Sequence, residues 1–405
     1  MLTVLQDKAL TYEVLRYLRD VAVDVNIREK FETLDAYKVS LLRDYSSEKA
    51  LKEARLILEE RVLRDAFSFD YRFAMPYNQQ IKAQWYIDID YNPKPFKRIF
   101  GLIGENGVGK TSMLRSFTKD FMAKENKGFH TKPLFNSLNV ISSVASDKYL
   151  ASQPNNVVPY IYYHLDQNQE NVQNIVRAVN RIATSKYIVD KQSKVKIYLD
   201  FIKKVFKNGA VENYLSKMFV EKEQTEPYYE KRYILNEDIL KSFLELLSSG
   251  QLHIFTMATF LIADMHLSSL VIIDEPEVHL HPSSIIEFMY FLYTLLQIFD
   301  SYAIIATHSP LIIREMLNTN VYKIIRTKED IPMVSQIDFD TFGEDIAVLY
   351  NKIFGYNESE SIFSITVKNL VSEGRDRADI ENILTSTLPM NLNARLRIFD
   401  SLKSK

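Results

Sequence analysis

The chain has 405 residues, enough for more than one structural unit, since single cores stop growing beyond roughly 250 to 300 residues. Its 46% hydrophobic and 25% charged residues exclude a disordered chain, and a net charge of −2 excludes an overall attraction to nucleic acid or acidic membranes. The absence of cysteine excludes disulfides and thiolate metal sites and makes a reducing, cytoplasmic compartment the expectation.

The first twenty residues carry acidic side chains and no continuous apolar run, so no secretory signal is expected. Residues 1–62 read as a helical region, with "SSEKALKEARLILEERVLRDAF" as its clearest amphipathic stretch. The period then changes. In "QWYIDIDY" Trp85, Ile87 and Ile89 fall on one face and Tyr86, Asp88 and Asp90 on the other, the alternation of a half-buried strand. The turn "NPKP" leads into "FKRIFGLIG", an apolar strand that ends in glycine.

"GENGVGKT" follows, from Gly104 through Glu105, Asn106, Gly107, Val108, Gly109 and Lys110 to Thr111, and then Ser112 opens a helix. This is GxxxxGK[ST] between a strand and a helix, the context the phosphate loop requires. Four of the ten glycines lie between Gly101 and Gly109, where bare backbone lets successive N–H groups curl around phosphate oxygens. Lys110 is expected to neutralise the β- and γ-phosphates of ATP, and the Thr111 hydroxyl to complete a Mg²⁺ shell. A strand at "LNVISSV" closes the first part of a core, residues 63–145.

Residues 146–238 are polar and rich in lysine and tyrosine, and read as a mainly helical insertion. Lys191, Lys194, Lys196, Lys203, Lys204 and Lys207, interleaved with Tyr198 and Phe201, admit a DNA-facing surface, although a solvated helical face is the ordinary reading.

The core resumes over residues 239–325. In "LLSSGQLHIF" Ser248 and Gln251 have capping-box spacing, and Ile254, Ala258, Leu261 and Met265 then form one apolar stripe. The free N–H groups of that first turn suit an anion. "LVIIDEPEVHLHP" ends a buried strand in two carboxylates, of which Asp274 is expected to hold Mg²⁺ and Glu275 to act as general base on the attacking water. Glu277, His279 and His281 have spacing that allows a metal, but Pro276 and Pro282 bracket them in a loop and a structural role is preferred. "IIEFMYFLYTLLQIF" is too short to cross a bilayer and reads as a buried helix. "YAIIATHSP" ends another strand in His308, placed to meet a γ-phosphate or the attacking water. Strands alternating with helices predict an α/β fold with a mostly parallel sheet covered on both faces. The remaining segment, 326–405, offers no convincing cluster of metal-binding acids and reads as a region for partner docking.

Together the phosphate loop, "LSSGQ", "DEPEVHLHP" and "ATHSP" resemble an ATP-binding-cassette (ABC) ATPase, of the soluble branch that includes RecF-like, SMC-like and overcoming-lysogeny-type ATPases. The resemblance implies a P-loop ATPase fold with an antiparallel N-terminal β part. It also implies that Ser249, Gly250 and Gln251 bind the γ-phosphate held by another copy's phosphate loop, giving a head-to-tail homodimer with two shared ATP sites. The usual glutamine loop has Gln153 or Asp147 as candidates.

The tail "TFGEDIAVLYNKIFGY" resembles that of the ATPase component of Septu-type two-gene systems, which implies anti-phage defence with a separate HNH nuclease as partner. Higher oligomers and contact with DNA are open under this reading. The alternatives are a nucleotide-gated scaffold with little turnover, a RecF-like DNA repair ATPase and, least favoured, an ABC transporter subunit.

Overall fold

The computed structural model describes residues 8–31, 34, 36–37, 41, 51, 54, 67–75, 78–89, 97–123, 127–133, 135–143, 149, 159–165, 169–185, 187–189, 192–206, 209–221, 233–278, 280–327, 331–355 and 362–384. The chain forms two compact units, Met1–Glu344 and Asp345–Lys405. Most of the "SSEKALKEARLILEERVLRDAF" stretch lies outside the described residues.

In the first unit, helices α1 (Lys8–Tyr17) and α2 (Val25–Phe31) precede strands β1 (Phe69–Met75) and β2 (Asn78–Ile87). Next come β3 (Ile99–Ile103), α3 (Lys110–Met122), β4 (Phe129–Thr131), β5 (Ser137–Ser142) and β6 (Tyr160–His164). A mixed segment follows with α4 (Gln169–Thr184), the short pair β7 (Ile188–Val189) and β8 (Gln192–Ser193), α5 (Lys194–Val205), α6 (Gly209–Met218), the pair β9 (Phe219–Glu221) and β10 (Tyr233–Leu235), and α7 (Glu237–Glu245). The remainder is α8 (Ser249–Asp264), β11 (Ser269–Asp274), α9 (Pro282–Ile298), β12 (Tyr302–Thr307), α10 (Pro310–Ile313), β13 (Val321–Arg326) and β14 (Pro332–Gln336).

Among the described residues seven strands build one sheet in the order β14, β13, β3, β12, β11, β5, β6. All pairs are parallel except β13 with β14. β5, β11 and β12 are buried along their whole length, which explains why "SLVIID" and "YAIIAT" read as unbroken apolar runs: both faces of a parallel sheet are covered. β1, β2 and β4 form the expected antiparallel sheet, in the order β2, β1, β4. Its inner face carries Phe69, Tyr71 and Trp85 against Phe117 of α3, with ring centroids 5.0 to 5.8 Å apart, so aromatic packing fixes the phosphate-loop helix to this sheet. The alternation read from "QWYIDIDY" holds, with Trp85, Ile87 and Ile89 buried and Tyr86 and Asp88 exposed; Asp90 lies outside the described residues.

Between residues 146 and 238 helices predominate, but Tyr160–His164 is a strand that extends the large sheet, with Leu138 opposite Tyr160 and Ser142 opposite His164. Its polarity hid it, because an edge strand is only half covered: Tyr160 is buried and the next four residues are partly exposed. A second difference concerns α8. The sequence suggests a one-sided apolar stripe, whereas every residue from His253 to Asp264 is buried, because α4, α5 and α9 pack around the helix.

Lys194 is the anchor of that arrangement. It is 2% exposed and donates to the carbonyls of Ala263 (2.7 Å) and Met265 (2.9 Å), where α8 ends with unbonded carbonyl groups and the negative end of its dipole. Lys194 is therefore not part of a DNA-facing surface. Tyr198 and Phe201 are buried as well, since they pack on Phe255 and Phe291. Lys196, Lys203 and Lys204 are exposed, and Lys191 and Lys207 lie outside the described residues.

The second unit is helical among its described residues: α11 (Ile346–Phe354), α12 (Ile362–Ser372) and α13 (Arg377–Leu384). Asp345 caps α11 by accepting from Ala347 N and Val348 N, and Gly355 ends it in the left-handed conformation that glycine tolerates. Among its described residues Leu349, Ile353, Val367, Val371 and Ile380 are buried. Among the described residues no helix is long and apolar enough to cross a membrane.

Candidate nucleotide-binding site

β12 lies between β3 and β11, with Thr307 opposite Ile103 on one side and Ala306 opposite Asp274 on the other. All three strands run in the same direction, so the phosphate loop after β3, His308 after β12 and the acids after β11 emerge side by side at one edge of the sheet. This is where α/β sheets bind ligands.

The loop turns at Gly107 (φ 81°) and Gly109 (φ 106°), a conformation that side chains other than glycine rarely adopt. At Gly104 the constraint is space: a Cβ there would stand 2.5 Å from the carbonyl oxygen of Ile324. Glu105, Asn106 and Gly107 are exposed, Val108, Gly109, Thr111 and Ser112 are partly covered, and Lys110 is buried at 5% exposure. Lys110 Nζ donates to the carbonyls of Gly104 (2.8 Å) and Glu105 (3.2 Å). Burial pulls its pKa below the ordinary lysine value, while Glu275, Asp274 and Glu277 pull it back up. Lysine and acids therefore face one another, although they lie more than 160 residues apart in sequence.

Asp274 is fully buried, and the hydroxyl of Tyr149 donates to its Oδ2 at 2.8 Å. Glu275 has φ 53°, a left-handed conformation that costs a non-glycine residue on the order of 1 kcal/mol. Its N–H donates to Ala306 O at 2.9 Å, so the strained turn is tied to the neighbouring strand. Its carboxylate lies 3.6 Å from His308 Nδ1. The acid and the histidine are thus brought together.

Glu277 is closer still, with Oε1 3.2 Å from His308 Nδ1. The same oxygen accepts from Thr307 Oγ1 (2.5 Å) and from the backbone N–H of His308 (2.8 Å). Within "EVHLH", His281 has a structural role: it caps α9, with its Nδ1 2.9 Å from Ser283 Oγ. His279 lies outside the described residues, and among these no group of three or more residues suits a metal ion. Glu277 was missed as a site residue because only the fold reveals that it reaches across to β12.

Ser249, Gly250 and Gln251 form the first turn of α8. The capping box is present, with Gln251 N donating to Ser248 Oγ (3.3 Å) and Ser248 N to Gln251 Oε1 (3.0 Å). Ser249 and Gln251 are exposed and Gly250 is partly exposed, so this turn is open to a ligand or a second chain. Its helix is connected to the acidic strand: His253 Nε2 lies 3.3 Å from Ser143 Oγ, and Ser143 N donates to Asp274 O at 3.2 Å. Nothing in the sequence marks Ser143, His253 or Tyr149, whose contacts span more than 100 residues. Gln153 and Asp147 lie outside the described residues.

Thr111 and Asp274 supply hard oxygen donors of the kind Mg²⁺ takes, and a carboxylate as buried as Asp274 beside Lys110 suits a site that balances charge.

Residues 158–314 match the family model described as "AAA domain, putative AbiEii toxin, Type IV TA system". That span is less than half of the chain; it contains Ser249–Gln251, Asp274, Glu275 and His308, and the phosphate loop precedes it. The match makes this part of the chain similar to an AAA domain. Protein ea59 of Escherichia phage lambda is 28% identical over 374 residues, 85% of this chain and 70% of that protein. Among solved structures, the SMC head domain from Thermotoga maritima is 12% identical, covering 67% of this chain and 99% of that one with a TM-score of 0.36. An ATP-binding cassette of an ABC transporter in its ADP conformation is 14% identical, covering 71% and 96% with a TM-score of 0.32. With TM-scores this low, the description of the fold rests on its own strands and helices.

Proposed function

We propose that the chain binds ATP with Mg²⁺ and hydrolyses it between two copies arranged head to tail. The observation that carries this reading is the convergence of Lys110, Asp274, Glu275 and His308 at the ends of three adjacent parallel strands. In it the loop Gly104–Gly109 offers backbone N–H groups to the phosphates, and Lys110 exchanges its carbonyl partners for phosphate oxygens. Thr111 and Asp274 hold Mg²⁺, which when bound neutralises charge developing on the transferred phosphoryl group. Glu275 takes the proton of the attacking water, and His308 holds the water or the terminal phosphate. Ser249, Gly250 and Gln251 of the second copy close the site; their exposure leaves them able to do so.

The ATPase controls a nucleic-acid-directed response, with a separate HNH-type nuclease as partner and the second unit as the docking region. The relative in a phage and a family description naming a toxin and a TA system support a setting in conflict between phage and host. ATP turnover of the wild type against Glu275→Gln tests the core of the proposal. A variant that still binds ATP but hydrolyses it about 10²- to 10⁴-fold more slowly fits a general base, and equal rates exclude Glu275 from that role.

A further inference from the structure

Glu277 has no part in the roles given above, yet its side chain is only 7% exposed, and both of its hydrogen bonds go to the end of β12. Its Oε1 accepts from the Thr307 hydroxyl and the His308 N–H, while its Oε2 is buried without a hydrogen-bond partner among the described residues. His308 Nδ1 is in the same condition: buried, 3.2 Å from Oε1, and not aligned on any acceptor. The rest of the imidazole faces outward, since the side chain as a whole is 42% exposed. Buried polar groups are almost always paired, and here an unpaired acceptor and a nitrogen able to carry a proton lie on neighbouring side chains. Nδ1 is the ring nitrogen that faces this carboxylate.

We infer that Glu277 is a positioning residue for His308. Its carboxylate fixes the backbone at the end of β12 and keeps the proton of the neutral imidazole on Nδ1, so Nε2 on the opposite edge is the nitrogen presented to the terminal phosphate or the water. Glu275, the other acid facing the ring, is farther away at 3.6 Å and more exposed at 20%, which leaves it free for the water. Lys110 feels both acids and Asp274, so none of the three carboxylates is isolated from positive charge. A histidine oriented by a buried carboxylate through its second nitrogen is a recurring device for setting tautomer and direction.

This inference rests on the assignment of His308 to an ATP site, and the experiment separates the two. In ¹⁵N-histidine-labelled protein, with the His308 signals assigned by loss in His308→Gln, the wild type should show a protonated Nδ1 and Glu277→Gln should shift the proton to Nε2. In parallel, Glu277→Gln, which retains an oxygen acceptor for the backbone and hydroxyl bonds, should lower kcat about 10- to 100-fold, the loss typical of a carboxylate that orients a histidine, with the KM for ATP unchanged. Made on top of His308→Gln, the same substitution should cost nothing more. A wild-type His308 with its proton on Nε2, or a tautomer unchanged in Glu277→Gln, overturns the inference, as does wild-type kcat in that variant. A wild type that does not hydrolyse ATP instead overturns the reading of the site, and the tautomer still reports on the Glu277–His308 pair.

Discussion

Lys110 Nζ donates to the carbonyl oxygen of Gly104 at 2.8 Å, so the lysine closes the loop that precedes it. Without nucleotide this contact satisfies a buried ammonium that a phosphate would otherwise satisfy. Lys110→Ala should therefore leave the fold intact by circular dichroism and weaken ATP binding roughly 10- to 100-fold, corresponding to about 1.5–3 kcal/mol for a charge-assisted bond. Fluorescence titration with a labelled ATP analogue measures this.

The same lysine sets a pH dependence. Its folded-state pKa lies below the ordinary 10.5, because burial penalises the charged form more than the three acids favour it. Phosphate affinity needs the ammonium, so the lysine's contribution is complete below the lowered pKa and declines as pH rises through it. ATP affinity measured across the alkaline range should begin to fall below pH 10.5 in the wild type, and this inflection should be absent in Lys110→Ala. The lowered pKa also opposes folding, in full below the folded-state value where both states carry the proton, and this penalty is lost as pH rises through that value towards 10.5.

Lys194→Met should destabilise the first unit. It leaves the carbonyls of Ala263 and Met265 without the buried ammonium, at a cost of about 1–3 kcal/mol for unsatisfied buried groups. A lowered urea midpoint with an unchanged slope is the expected result. Lys204→Met, on the same helix but exposed, should change little, since its contact is with the half-exposed ring of Tyr290.

Much of the site was legible because its chemistry is local in sequence. "GENGVGKT" requires glycine where φ is positive or space is absent, and the structure has those requirements at Gly104, Gly107 and Gly109. Asp274 and His308 are legible as strand ends because each closes an apolar run, and a strand buried on both faces writes its own boundaries. The Ser248–Gln251 cap was legible for the same reason, its two partners being three residues apart. Glu277, Tyr149 and the Ser143–His253 contact were not, because each acts on a strand or helix distant in sequence and nothing in its own neighbourhood marks the partner. The edge strand Tyr160–His164 was obscured by its polarity, and Lys194 was read as surface because lysine is seldom buried without the carbonyl pair that only the folded chain supplies.

The central claim is that Ser249 of one copy closes over the phosphate loop of another. The chain has no cysteine, so introduced thiols report on it without background. One preparation carries Asn106→Cys and another Ser249→Cys, both in a Glu275→Gln background; they are mixed, oxidised with and without ATP and Mg²⁺, and run on a non-reducing gel. The account predicts a disulfide-linked pair of chains that joins the two preparations and forms only with ATP. No such pair, combined with an ATP-dependent bridge inside a single chain carrying both cysteines, would contradict it.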